Sequence, residues 1–192
     1  MSSKEDADRA GDFIDACVDR PDEARRMAAA DPSLLFLERI GSPMLHWFVI
    51  EDFVAAAQLV LDLGVPVDSR DKYGCTPLRY ASSLGRLDCV RLLLSRGADP
   101  NLPDPLVVNA LHAAITGSHL DVAMLLLAHG ARADYFSECL DTVFGAMSRL
   151  LPGNRTLLVD RLRELGVTRD GLFVSLGLDQ WGYESPEQAF GW

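Results

Sequence analysis

A fixed spacing of 33 residues is the feature that most limits what this chain can fold into. The glycines that keep this spacing are Gly64, Gly97 and Gly130, and the leucines that keep it are Leu45, Leu78 and Leu111. A constant period of this length is typical of stacked supersecondary units, each of which buries its apolar face against the next. We therefore expect a single repeat domain with one continuous core.

The central repeat predicts two short helices joined by tight turns. The Thr76 hydroxyl can cap the free N–H groups of a helix that starts at Pro77, and this helix should end near Gly85. Apolar residues at three- and four-residue steps then predict a second amphipathic helix, which ends at Gly97. Its apolar face would consist of Leu87, Val90, Leu93 and Leu94.

Weaker copies of this unit lie on both sides of it in the same register. The predicted organisation is an N-terminal capping helical pair at 1–35, repeats at 36–68, 69–101 and 102–134, a degenerate repeat at 135–167, and a C-terminal segment at 168–192. The capping pair should comprise one helix from Ala10 to Val18 and another from Pro21 to Ala30. In the degenerate repeat, the cluster Leu151 to Asn154 predicts a turn between two helices.

The central repeat, from Gly74-Cys-Thr-Pro-Leu to Gly97-Ala-Asp-Pro-Asn101, resembles an ankyrin repeat at nearly every family position. The resemblance is firm over residues 36–134 and looser over 8–167. It implies an all-α solenoid of stacked helix-turn-helix units with short finger turns, and it implies protein binding. In the family, a threonine and a histidine at the first helix link neighbouring repeats by hydrogen bonds. Here Thr76 is followed by Arg79, while His46 and His112 follow other residues, so this ladder is not expected in its usual form.

The resemblance also implies where a protein partner would bind, because finger turns and first helices line the concave face of ankyrin stacks. Carried over by register, the exposed positions are Arg39, Ile40, Ser42, Ile50 and Glu51 in the first repeat, Lys72, Tyr73, Cys75, Ser83 and Leu84 in the second, Pro105, Leu106, Val108 and Thr116 in the third, and Glu138, Cys139 and Asp141 in the fourth. We expect partner contacts at these residues.

Three segments allow both a structural and a binding interpretation. The apolar finger Leu102 to Val108 can either meet a partner or tuck against a neighbouring finger. Trp47 can line the groove or be buried beneath the first finger. The aromatic-rich segment 168–192 can cap the last repeat or bind a partner, and its recognition residues would then include Trp181, Tyr183 and Trp192.

The charge of the chain favours one class of partner over two others. The net charge is −10, and residues 1–31 hold nine acids against five bases. An acidic surface repels nucleic acid phosphates and anionic membranes, and it speeds association with basic proteins. We expect a basic protein partner, no nucleic acid and no membrane, although the acidity can equally serve only solubility.

The sequence offers no arrangement typical of catalysis. His46 and His112 occupy the family's structural histidine position, and no nucleophile elbow, phosphate loop or metal-spaced cluster occurs in the sequence. We expect no catalytic residues, no cofactor and no metal. Four separate cysteines favour reduced thiols in the cytoplasm, and the first residues lack the apolar core of a signal peptide.

Three classes of function agree with these patterns to different degrees. A protein-interaction module fits best, and within that class a small acidic stack suggests an inhibitor or immunity-type protein that is monomeric when free. A scaffold or adaptor is the alternative within that class, and the second class is a structural subunit that assembles with itself. An enzyme is the class that the sequence supports least.

Overall fold

The computed structural model describes residues 4–102, 109–132 and 152–164, and over these ranges the chain is almost entirely helical. The elements are α1 (Lys4–Asp19), α2 (Pro21–Ala30), a 3-10 helix (Pro32–Phe36), β1 (Glu38–Arg39), β2 (Ser42–Pro43), α3 (Met44–Ile50), α4 (Val54–Asp62), α5 (Pro77–Ser83), α6 (Leu87–Ser95), α7 (Ala110–Thr116), α8 (Leu120–Ala128) and α9 (Pro152–Glu164). The predicted all-α repeat solenoid is confirmed. Within these ranges, no helix is both long enough and apolar enough to cross a membrane.

The N-terminal helical pair forms as predicted, with one difference in length. Helix α1 begins at Lys4, earlier than Ala10, and Pro21 occupies the first turn of α2. Phe13 and Ala16 on α1 are fully buried, and α1 packs against both α2 and α4. The pair therefore covers the end of the first repeat on one side and keeps its charged side towards solvent.

The predicted glycine stops end the second helix of each of the first three repeats. Gly64, Gly97 and Gly130 have φ angles of +97°, +82° and +83°, which residues with a Cβ rarely adopt. After α6, the Gly97 N–H bonds the Leu94 carbonyl at 3.0 Å and the Ala98 N–H bonds the Leu93 carbonyl at 3.0 Å. These bonds use carbonyls that the helix end would otherwise leave free.

A second set of left-handed residues ends the first helix of each of the first three repeats. Asp52, Gly85 and Ser118 have φ angles of +64°, +68° and +63°, and they too are 33 residues apart. The glycine pattern predicted only Gly85, because the other two positions carry a side chain. Aspartate tolerates this conformation better than most residues do.

Polar side chains link consecutive repeats at a constant offset of 31 residues. The Asp68 carboxylate accepts a hydrogen bond from the Asp99 N–H at 3.2 Å, and the Asn101 side-chain oxygen accepts one from the Arg132 N–H at 2.8 Å. Asn101 also donates to the Gly130 carbonyl at 3.1 Å. Because Asp68 and Asn101 occupy the same repeat position, the same contact recurs along the stack.

A histidine link between the first two repeats is present, although the repeat that carries His46 lacks the family's threonine. His46 is completely buried, and its Nε2 donates to the Cys75 carbonyl at 2.9 Å. The bond needs only the histidine of one repeat and a backbone carbonyl of the next. A threonine in the same repeat as the histidine is therefore not required.

The described residues form two compact units. One comprises 4–81 and 86–99, and its fully buried side chains include Phe13, Leu45, Phe48 and Leu93. The other takes the remaining described residues. Its buried side chains include Leu111, Ile115, Leu126 and Leu158, and α9 packs against α8. The predicted turn at Leu151 to Asn154 is wrong from Pro152 onward, because Pro152 starts α9 in the first helical position that suits proline.

Candidate functional site

The finger of the first repeat is a two-residue hairpin with an exposed isoleucine at its tip. Strands β1 and β2 pair antiparallel with Arg39 opposite Ser42, so Ile40 and Gly41 form the turn. Both have positive φ angles, +54° and +76°, as a type I′ turn requires. Ile40 is 87% exposed. A β-branched residue in this conformation is strained, so the tip carries an apolar side chain at a cost in stability.

The finger of the second repeat is held by one carboxylate. Asp71 Oδ1 accepts hydrogen bonds from the N–H groups of Tyr73 and Cys75, each at 2.9 Å, and Oδ2 accepts one from the Tyr80 hydroxyl at 2.8 Å. Burial alone would raise the pKa of Asp71, but these three donors hold it below its ordinary value. The finger is therefore rigid, and the Tyr73 side chain at its tip is 63% exposed.

The two fingers meet through Lys72. Its ammonium lies 5.1 Å from the centre of the Tyr73 ring, a cation–π distance. A Cβ added to Gly41 would lie only 2.6 Å from Lys72 Nζ, so the lysine lies against the neighbouring hairpin. Ile40, Lys72 and Tyr73 thus form one surface, which we call the finger surface.

The finger surface carries a cation, whereas the acids of the N-terminal segment lie on α1. Lys72 contributes its positive charge at the fingers, and the Asp71 carboxylate there is already engaged with its three donors. Arg39 reaches α1, since a Cβ added to Gly11 would lie 3.6 Å from its guanidinium. On α1, the acids that repeat at three- and four-residue steps are all exposed: Glu5, Asp8, Asp12, Asp15 and Asp19. Residues at these steps share one helix face. The net charge of −10 is therefore unevenly distributed, with an acidic face on α1 and a lysine at the finger surface.

The structure places the predicted partner-binding residues in three groups. Exposed are Ile40, Glu51, Lys72, Tyr73, Leu84 and Thr116, and partly exposed are Arg39, Ser42, Ile50 and Ser83. Outside the described residues lie Pro105, Leu106, Val108, Glu138, Cys139, Asp141, Trp181, Tyr183 and Trp192, together with the rest of the apolar finger from Pro103 and of the C-terminal segment. The remaining residue, Cys75, is buried.

The expected exposure of Cys75 is wrong. Cys75 is only 8% exposed, because its backbone is bonded on both sides. The Cys75 N–H donates to the Asp71 carboxylate, and the Cys75 carbonyl accepts a hydrogen bond from His46. The residue closes the finger and connects it to the preceding repeat. It therefore has a structural role that leaves little side-chain surface for a partner.

The structure shows how Trp47 is placed and which two polar residues were not predicted from the sequence. Trp47 is half-buried, with its ring 5.7 Å from that of Phe53. Asp71 and Asn109 are not among the residues predicted from the sequence. Asn109 is buried, accepts from the His112 N–H at 2.9 Å and donates to the Arg132 carbonyl at 3.1 Å. The signal for Asn109 was its position before α7, where a side-chain cap is favoured.

The buried cysteines are suited to packing and not to nucleophilic chemistry. Burial raises the pKa of both Cys17 and Cys89 to about 12, and Cys89 also has its sulfur 3.4 Å from an Asp52 carboxylate oxygen. A thiol with so high a pKa is protonated at neutral pH and reacts slowly. Across the ranges that the structure describes, no group of histidines, cysteines and carboxylates could hold a metal ion.

Comparison with known proteins identifies the repeat. Residues 25–104 match the family described as ankyrin repeats (3 copies), and residues 108–136 match the family described as ankyrin repeat. Together these matches cover more than half of the chain.

The relatives are much longer proteins. The neurogenic locus notch homolog protein 1 of Mus musculus is 31% identical over 131 residues, which is 66% of this chain and 5% of that protein. The ankyrin repeat, SAM and basic leucine zipper domain-containing protein 1 of Equus caballus is 53% identical over 45 residues, 23% of this chain and 10% of that protein. The ankyrin repeat protein nuc-2 of Neurospora crassa is 41% identical over 69 residues, 35% of this chain and 6% of that protein. The chain thus spans a tenth or less of the length of these relatives, and what it shares with them is the repeat itself. The chain belongs to the ankyrin repeat family.

Proposed function

We propose that this chain binds a protein partner through the finger surface and the first helices of its repeats. Ankyrin repeats are protein-interaction modules, and the chain's arrangement of rigid fingers on a packed core suits that use. Preorganised fingers lose little conformational freedom when a partner docks.

The observation that carries this proposal is the strained, exposed Ile40. With a φ of +54°, asparagine or glycine would be the cheaper residue at this turn position, and no burial of the side chain offsets the strain. Strain that persists in an exposed position is a recognised sign of a functional constraint. Tyr73 stands at the tip of the adjacent finger, and tyrosine is one of the residues that interfaces use as anchors.

The finer part of the proposal concerns the partner and the outcome of binding. We propose a basic protein, attracted by the acidic face of α1, and an inhibitor or immunity-type role in which occupation of the partner's surface is itself the effect. A scaffold differs from an inhibitor in needing a second partner bound at the same time. A ternary complex, detected by light scattering on the purified proteins, would favour the scaffold.

The test compares two finger variants with a control on a second helix. Proteins retained from a lysate of the source cells by the intact chain are identified, and dissociation constants are then measured for the purified partner. Tyr73→Ala should weaken binding by about tenfold or more, as an anchor residue commonly does. Ile40→Asn should also weaken binding, yet it should raise the melting temperature because asparagine tolerates the turn conformation.

The control is Arg91→Ala, which changes an exposed residue of α6. It should leave the dissociation constant unchanged. If Arg91→Ala weakens binding while both finger variants bind like the intact chain, the finger surface is not the interface.

A further inference from the structure

A small groove lies between the end of α1 and the start of α4. Val18 forms one wall, and residues 52–56 form the other. Its volume is about 210 Å³. Small-molecule sites usually enclose about 300–1,000 Å³, whereas about 150 Å³ is enough for one benzene ring. The groove therefore suits a single large apolar side chain. The seven residues of α3 separate it from the finger hairpin by about 10 Å.

The first repeat is apolar at this place where the other two repeats are polar. Immediately before the second helix the repeats carry Phe53, Arg86 and His119, and two residues later they carry Ala55, Asp88 and Asp121. Arg86 shows the structural use of a polar residue here, because it donates to the Ile50 carbonyl of the preceding repeat at 3.1 Å. Phenylalanine cannot make such a bond. Phe53 in the first repeat therefore adds apolar surface and does not replace the hydrogen bond that Arg86 makes in the second.

This apolar surface is open to solvent and rigid. Val18 is 39% exposed and Phe53 is 37% exposed, and Ala55 between them in the groove wall is exposed as well. The Phe53 ring is held against Trp47, with the two ring centres 5.7 Å apart. An anchor residue of a partner can pack against a fixed apolar wall of this kind.

Carboxylates flank the groove on both sides. On α1, Asp15 lies one turn before Val18 on the same helix face, and Asp19 follows directly. Both are exposed, and the last turn of α1 contains no basic residue to offset the negative helix end. A cation is therefore favoured at this wall.

The opposite wall adds two more acids and one base. Glu51 and Asp52 are exposed at the start of the turn into α4. Arg86 lies 3.9 Å from Asp52 and offsets part of that charge. The rim thus has four carboxylates and one guanidinium, and Arg20, which follows Asp19, pairs with Glu23 at 2.7 Å. The rim is therefore acidic, and this complements a basic segment and repels an acidic one.

We propose that this groove is a second docking surface, which takes a basic protein segment carrying one large apolar side chain. The apolar side chain fills the space between Val18 and Phe53, and lysine or arginine residues on either side of it face the carboxylates. The proposal shares with the proposed function only the expectation of a basic partner, and it does not require the finger surface.

The probe is a synthetic peptide with one phenylalanine flanked by lysines, titrated against the full chain by fluorescence anisotropy. We expect saturable binding that weakens about tenfold when the peptide's phenylalanine becomes alanine, and binding that disappears when glutamates replace the lysines. Amide chemical shifts of Val18 and Phe53 should move on titration. Equal affinity for the phenylalanine and alanine peptides would overturn the proposal.

The decisive variant is Ala55→Asp, because it restores the residue that the other two repeats carry and so preserves the fold. It adds negative charge, which alone would strengthen the attraction of a basic peptide. A loss of about tenfold or more in affinity, with an unchanged melt, therefore shows that the apolar groove is filled.

Two further variants separate charge and location. Asp15→Asn combined with Asp19→Asn should weaken binding and flatten its salt dependence. Tyr73→Ala should bind the peptide like the intact chain. If Ala55→Asp binds normally, or if only Tyr73→Ala loses binding, the groove is not the docking surface. The finger variants tested against the natural partner decide the proposed function separately.

Discussion

At the residue scale, burial controls the charge of His46. Nε2 donates to the Cys75 carbonyl, and buried Nδ1 has no partner, so the ring is held in its neutral form. Burial lowers the pKa of His46 below its ordinary value, although the bond to Cys75 and the nearby Asp71 carboxylate act in the opposite direction. Protonation would place a second N–H in the core without an acceptor.

This arrangement predicts a loss of stability in mild acid. The unfolded chain binds a proton at this histidine near pH 6.5, whereas the folded chain binds it only at lower pH. The free energy of unfolding should therefore fall as pH drops below about 6.5. This contribution should level off below the lowered pKa of the folded state. Urea unfolding over this range measures the effect. His46→Gln should show a flatter pH dependence, whereas His129→Gln, which changes an exposed histidine, should keep the slope of the intact chain. A His46→Gln slope equal to that of the intact chain would contradict the account.

At the element scale, the turn between the two helices of a repeat depends on space for one ring. A Cβ at Gly85 would lie 2.4 Å from His119 Nδ1, and a Cβ at Gly117 would lie 2.6 Å from His119 Cδ2. The imidazole is therefore confined between two glycines. At Gly97, by contrast, no atom lies within 4 Å of an added Cβ.

Replacing these glycines with alanine should therefore lower the free energy of unfolding by different amounts. Gly97→Ala should lose about 1–2 kcal/mol from its left-handed backbone alone. Gly85→Ala has a comparable φ, and overpacking against His119 should cost about 1–3 kcal/mol more. Chemical denaturation of both variants, of His119→Ala and of the Gly85→Ala/His119→Ala pair tests this. Additive losses in the pair would show that the ring is not the obstacle.

The elements themselves were largely predictable, and the reasons are local. Proline at the start of α5 and glycine after α6 act within one helix turn, so sequence spacing reveals them. The burial of Cys75 depends on Asp71 and on a histidine 29 residues away, and no local pattern encodes that contact. The exposed tips Ile40 and Tyr73 followed from the repeat register. The position of Lys72 against the neighbouring hairpin needed the folded arrangement.

At the scale of the whole molecule, charge acts through its distribution as well as its sum. The net charge of −10 attracts a basic protein from any direction, and the exposed acids aligned on α1 add a local negative field. The finger surface carries Lys72, so attraction and final contact can involve different surfaces. Steering of this kind changes the rate of association more than the rate of dissociation.

The last prediction separates net charge from charge position. Asp12, Asp15 and Asp19 changed together to asparagine should slow association with a basic partner by about threefold to tenfold and reduce its salt dependence, because electrostatic steering operates at this scale. The matched control neutralises three exposed acids on other helices, Asp88, Asp121 and Glu164, and changes the net charge by the same amount. Stopped-flow association rates at several salt concentrations compare the two. The control should slow association less, and dissociation should be nearly constant in both. Equal slowing would assign the attraction to net charge alone, and faster association after neutralising α1 would show that the partner is acidic.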